Sequence, residues 1–101
     1  MPIKNLKPTH PGEILEKEFL QPMGISQYRL AKDIAVPQTR ISKIIKKQRG
    51  ITSDTALRLS RYFNVTAEFW MNLQMSYDLK IARKKMGKII EKQVLPFEEA
   101  A

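Results

Sequence analysis

Apolar residues recur along this chain at three- and four-residue steps, and strand-like alternation never persists beyond four residues. The pattern predicts helices throughout, and the fold class is all-α. Ile14, Leu15 and Phe19 face inward on a first helix that begins near Pro11, with His10 before it as cap. Proline suits a first helical position, and Pro22 and Gly24 are expected to stop this helix. Ser26 is a good N-cap for a second helix, Gln27 to Ile34, whose inner positions are Leu30, Ala31 and Ile34. Ala35-Val36 makes a tight turn, and Pro37 opens a third helix that buries Ile41, Ile44 and Ile45.

Beyond a loop at Gly50, Ile51 reads as an apolar plug and Thr52 caps a fourth helix, Ser53 to Phe63. Ala56, Leu59 and Phe63 point inward there, and Asn64 is suited to a left-handed C-terminal position. Thr66 caps a fifth and longest helix carrying Trp70, Leu73, Tyr77 and Ile81, which Met86, Ile89 and Ile90 extend. Gly87 weakens its far half, and the tail after Pro96 is expected to fray. The resulting organisation is an arm over residues 1–9, a domain over 10–79 and a basic helical extension with its tail over 80–101. In 101 residues there is room for one modest core and not for two.

Charge sharpens this picture through its placement. The net charge is +8. Residues 26–61 carry nine basic residues against Asp33 and Asp54, while residues 1–25 are neutral and residues 62–101 are near neutral. A basic excess concentrated in one helical pair and the helix after it is the electrostatic footprint of a phosphate backbone. The pair itself, from Gly24 to Thr52, reads as a helix-turn-helix, in which the second helix enters the major groove and the first braces the backbone. Gln38 can pair with adenine, Arg40 with guanine, and Thr39 with a base or a thymine methyl. Lys43 can reach a base edge or a phosphate. Lys46, Lys47 and Arg49 suit phosphates, which supply affinity without sequence information. Ser26 with Gln27, and Thr52 with Ser53, begin helices whose free N–H groups favour phosphate oxygens.

Other chemistry is poorly represented. There is no cysteine and a single histidine, which removes the common thiol and metal arrangements, and no glycine-rich phosphate loop is present. No catalytic residue, metal ligand or cofactor is expected, and the chain is not read as an enzyme. The aromatics Phe19, Phe63, Phe69, Trp70 and Tyr77 are read as core rather than as a base-stacking surface. With no signal-type leader and no apolar run of membrane length, a cytoplasmic location and no membrane contact are expected.

The stretch Pro8 to Leu79, with PTHPGE, RGIT-x-DTALRL and EFW-x-NLQ, resembles the HigA/VapI type of antitoxin within the Cro and lambda-repressor-like helix-turn-helix class. The resemblance implies a five-helix repressor-like domain with an extended C-terminal helix. It further implies a homodimer that binds a palindromic operator in double-stranded DNA, represses its own operon and neutralises a small HigB/RelE-like ribonuclease toxin. Gln27, Gln38, Thr39, Arg40 and Lys43 would then face DNA. A stand-alone repressor without a toxin is the alternative, and a third reading has Lys80 to Lys92 bind an acidic partner or RNA. Leu73, Tyr77 and Ile81 are placed at the dimer seam, the first two shared with the molecule's own core. Four departures stand out. Ala35 replaces the usual turn glycine, at a cost of about 1 kcal/mol if its φ is positive. Lys43 replaces a common Glu, Lys46-Lys47 replace a polar-Gly pair, and Ala67 replaces a proline.

Overall fold

In the computed structural model, residues 8–100 are described; most of the expected arm, residues 1–7, and Ala101 lie outside them. The chain is all-helical among the described residues. Helix α1 covers residues 11–23 in three contiguous stretches, α-helical Pro11–Ile14, π-helical Leu15–Leu20 and α-helical Gln21–Met23. Then follow α2 (Gln27–Ile34), α3 (Gln38–Ile45), α4 (Ser53–Phe63), α5 (Ala67–Gln93) and a terminal turn α6 (Phe97–Ala100).

The ends of these helices follow local chemistry. His10 occupies the N-cap of α1, and its Nδ1 accepts the Gly12 N–H at 2.9 Å. Ser26 Oγ accepts from Arg29 N–H at 3.0 Å, and Thr66 Oγ1 from Phe69 N–H at 3.1 Å. Gly24 and Asn64 take the left-handed conformation at the ends of α1 and α4. Pro37 is itself the N-cap of α3, one position outside the helix it was expected to open. Thr52 holds the N-cap position of α4 without a side-chain capping bond.

One expectation is corrected. Pro22 does not stop α1, which runs through it to Met23. A proline inside a helix has no N–H to donate and crowds the carbonyl four residues back. The widened turn lies directly before Pro22, and Gln21 N–H bonds Glu16 C=O, five residues back. The same widening lets Leu15 and Leu20 share one face; at about 100° per residue a regular α-helix would set residues five apart well round from each other. Both leucines are buried. In the tail, the long helix ends before Pro96, and the short turn α6 forms directly after it.

The core gathers Leu15, Leu20, Leu30, Ala31, Ile34, Ile41, Ile44, Ile51, Ala56, Leu59 and Trp70. Phe19, Phe63 and Phe69 pack on Trp70 with ring centroids 5.0–6.4 Å away, so these aromatics are core, as read. Gly12 is required where α1 meets α3, because a Cβ there would sit 1.9 Å from the Ile44 carbonyl oxygen. Helix α5, about 40 Å long at 1.5 Å per residue, outruns this core. The radius of gyration is 17.0 Å, against about 13 Å for a compact domain of this size.

Candidate nucleic-acid interface

Helix α3 buries Ile41 and Ile44 against the core and turns its opposite side outward. At about 100° per residue, that outward side carries Thr39, Ser42, Lys43 and Lys46, with Gln38 at one edge. All are exposed except Ser42, which is half-buried. Ser42 went unnoticed in the sequence, although its place one turn from Lys46 and Thr39 is a periodicity signal. Lys43, Lys46 and Arg49 form no ion pair among the described residues, so their charges are available to an incoming anion.

The flanks of this face are two helix starts. Ser26 is spent on capping α2, with Gln27 half-buried behind it, whereas Thr52 at the start of α4 is exposed and makes no cap bond. The loop between α3 and α4 is pinned from below. Gln74 of α5 accepts the Ile51 N–H at 2.7 Å through Oε1 and donates Nε2–H to Asp78 at 2.9 Å. Gly50 leaves room for that amide, since a Cβ there would lie 2.8 Å from it. Gln74 is therefore the residue that sets the height of Arg49 and Thr52, and no local pattern announces a partner 23 positions away.

Two cations expected at DNA are held by carboxylates. Arg40 lies on the flank of α3 facing α4, and its Nη1–H donates to Asp54 Oδ2 at 2.9 Å. Lys47 sits 3.4 Å from Glu13 of α1. Its backbone is left-handed, φ 65°, at the position where the resemblance led us to expect glycine. Ala35 is likewise left-handed, φ 60°, as the turn required. Hydrogen bonds from Arg58 and then Arg40 hold the Asp54 carboxyl below the usual carboxylate range, and Lys47 with Lys17 does the same for Glu13.

The residues placed at the dimer seam fall on the inner side of α5. Leu73 packs on the core, Tyr77 makes an edge contact with His10 at 4.9 Å, and Ile81 lines a recess with Pro8, His10, Lys47 and Lys84. The opposite side of α5 carries Met75, Leu79, Ala82, Met86 and Ile89 in alternating steps of four and three, with Ile90 beside them, all exposed. No group of acidic, His or Cys side chains among the described residues could hold a metal ion, and no described helix is long and apolar enough to cross a membrane.

An all-helical core presenting a basic outward face on the second helix of a tightly turned pair is the helix-turn-helix class, and residues 17–70 match the helix-turn-helix family. Virulence-associated protein I of Dichelobacter nodosus is 55% identical over 87 residues, 85% of this chain and 81% of that protein. A HigA-family addiction module antidote protein from Coxiella burnetii superposes with a TM-score of 0.86 at 50% identity, over 90% of this chain and 99% of its own. Antitoxin HigA of Pseudomonas aeruginosa, solved with the higBA promoter, gives 0.87 at 47% identity, over 89% and 98%. The chain belongs to the helix-turn-helix family, in its HigA and virulence-associated protein I branch.

Proposed function

We propose that this chain is a dimeric antitoxin that binds the operator of its own operon and neutralises a small ribonuclease encoded beside it. One observation carries the DNA half: the outward side of α3 presents Gln38, Thr39, Ser42 and Lys43 together, next to Lys46 and Arg49, which form no ion pair among the described residues. In this reading Gln38, Thr39 and Lys43 meet base edges, and Lys46, Arg49, Thr52, Ser26 and Gln27 meet phosphates. The P. aeruginosa relative, an antitoxin solved with its promoter, supports both halves. The activity is regulatory rather than catalytic, and its place is the cytoplasm, where operator and ribonuclease are found.

A two-fold operator needs a two-fold protein. The exposed stripe on α5 has the alternating four- and three-residue spacing that helices use to pack on one another, which supports α5 as the surface joining two copies. The seam residues expected from the sequence, Leu73, Tyr77 and Ile81, lie on the opposite side of α5, so this surface differs from the one they define. Half-site centres are then expected about 34–36 Å apart.

The test is footprinting on the DNA upstream of the gene, with affinity purification from native cells. Protection of two half-sites, weakened by Lys43→Ala and made less salt-dependent by Lys46→Ala, is the expected result. A stoichiometric small basic protein that is toxic alone completes the antitoxin reading. Operator binding with no such partner would leave a stand-alone repressor.

A further inference from the structure

Asp54 Oδ2 accepts from two guanidinium groups at once, Arg40 at 2.9 Å and Arg58 at 3.0 Å. Arg58 Nη1–H also donates to the carbonyls of Ile34 at 2.9 Å and Ala35 at 3.3 Å, the last carbonyls of α2 and its left-handed turn. One carboxylate thus ties α3 to α4, and through Arg58 to the end of α2. Arg40 is drawn down by this arrangement. Its side chain is 24% exposed while that of Asp54 is 56% exposed, and its Nε is buried with no acceptor among the described residues. The neighbours Thr39 and Lys43 stand in the open.

We propose that Asp54 sets the sequence specificity of this protein by latching the Arg40 guanidinium away from the DNA-facing side of α3. This rests on the DNA-binding reading above. The physical case is that arginine pairs well with any phosphate as well as with guanine. On a reading helix that already carries Lys43 and Lys46, a loose arginine adds affinity for every sequence and little discrimination. Asp54 lies in the first turn of α4, where the helix dipole favours a carboxylate. Both guanidinium groups and the dipole hold it ionised. Asp54 is therefore a positioning residue, acting through Arg40.

The experiment compares wild type, Asp54→Asn, Asp54→Glu, Arg40→Gln and the Asp54→Asn/Arg40→Gln double variant on the upstream duplex and on a random duplex, across a salt series. Circular dichroism melts confirm that each variant is folded. Asp54→Asn is expected to tighten random-duplex binding and steepen its log–log salt slope by about 0.9, the signature of one added phosphate contact. The upstream-to-random ratio then falls below that of wild type, most at 50 mM salt, and the deficit shrinks about threefold by 200 mM. Asp54→Glu restores the wild-type slope, and the double variant shows no gain over Arg40→Gln. A slope unchanged in Asp54→Asn overturns the latch. So does a gain that survives in the Arg40→Gln background, since that gain would come from the lost negative charge or from Arg58. A wild type with no preference for the upstream duplex would instead defeat the operator reading, while the random-duplex slopes would still decide the latch.

Discussion

The inner and outer halves of α5 are one continuous helix held by opposite means. The inner half, to about Leu79, puts Trp70 at full burial among Phe19, Phe63 and Phe69, and places Leu73, Gln74 and Tyr77 on the domain. Beyond Ile81 and Lys84, which line a recess with Pro8, His10 and Lys47, the outer half projects from the domain, and Met86, Ile89 and Ile90 are exposed on it. Four of its six basic residues, Lys80, Lys84, Lys88 and Lys92, recur every fourth position on the side that continues the core face. The exposed apolar stripe from Met75 to Ile90 runs on the side opposite these lysines, so α5 carries apolar positions on two different faces. Length of seam in the sequence conceals this, because positions belonging to two faces add up to one long apolar run.

Trp70→Ala should break the inner half with the largest effect. Removing a fully buried Trp costs about 3–5 kcal/mol through lost transfer energy and an unfilled cavity, read as a fall in the denaturant midpoint at unchanged slope. Trp70→Phe should cost less than that, because the indole N–H has no acceptor among the described residues and the phenyl leaves none to satisfy. Ile89→Lys probes the outer half with the opposite outcome. The folded domain should melt within about 0.5 kcal/mol of wild type, as for an exposed site. The dimer dissociation constant should rise by tenfold or more, about 1.4 kcal/mol, measured by sedimentation equilibrium. A matching loss of dimer in Tyr77→Lys with the domain still folded would move the seam to the inner face.

What the sequence disclosed and what it hid follow the same division between near and far. Ser26, Thr66, Gly24 and Asn64 were legible as helix ends because a cap or a left-handed residue acts on backbone within a few positions. The left-handed conformation of Ala35 came into view only through the resemblance, which puts a turn glycine at that position. The π-widening before Pro22 was not legible, because it reconciles a local defect with the demand that Leu15 and Leu20 meet one core. In the candidate site, the outward face of α3 could be read from periodicity. The Asp54 bridge between Arg40 and Arg58, and the Gln74 strut under Ile51, join helices whose relative placement no local pattern encodes.

Ala35→Gly sharpens the comparison from the inner side alone. A left-handed alanine costs about 1 kcal/mol relative to glycine, partly offset by the freedom glycine gains in the unfolded chain. The expected outcome is a stabilisation of about 0.5–1 kcal/mol in the domain with no change in dimer affinity. Were dimer affinity to rise in step, the turn and α5 would be energetically coupled.

The smallest effect belongs to His10, which sits where the two halves of α5 meet, against Tyr77. It is 4% exposed, and its pKa is lowered from 6.5 chiefly by burial and next by Lys47, against opposing pulls from Asp78 and a backbone hydrogen bond with Arg49. Nδ1 accepts the Gly12 N–H, so the neutral ring is the form that caps α1. With the folded pKa below the unfolded one, the unfolded chain takes up the proton first as pH falls. The stabilisation is therefore fully present above pH 6.5 and lost as pH drops from there through the folded value. Urea melts from neutral pH downward should show this decline, and His10→Asn, which keeps a side-chain acceptor at the cap, should flatten it. A decline that persists near neutral pH in His10→Asn would overturn this assignment, whereas one that persists only at acidic pH belongs to the carboxylates Asp33, Asp54 and Glu13. Their lowered pKa values place their own loss at more acidic pH, so the two origins separate along the same titration.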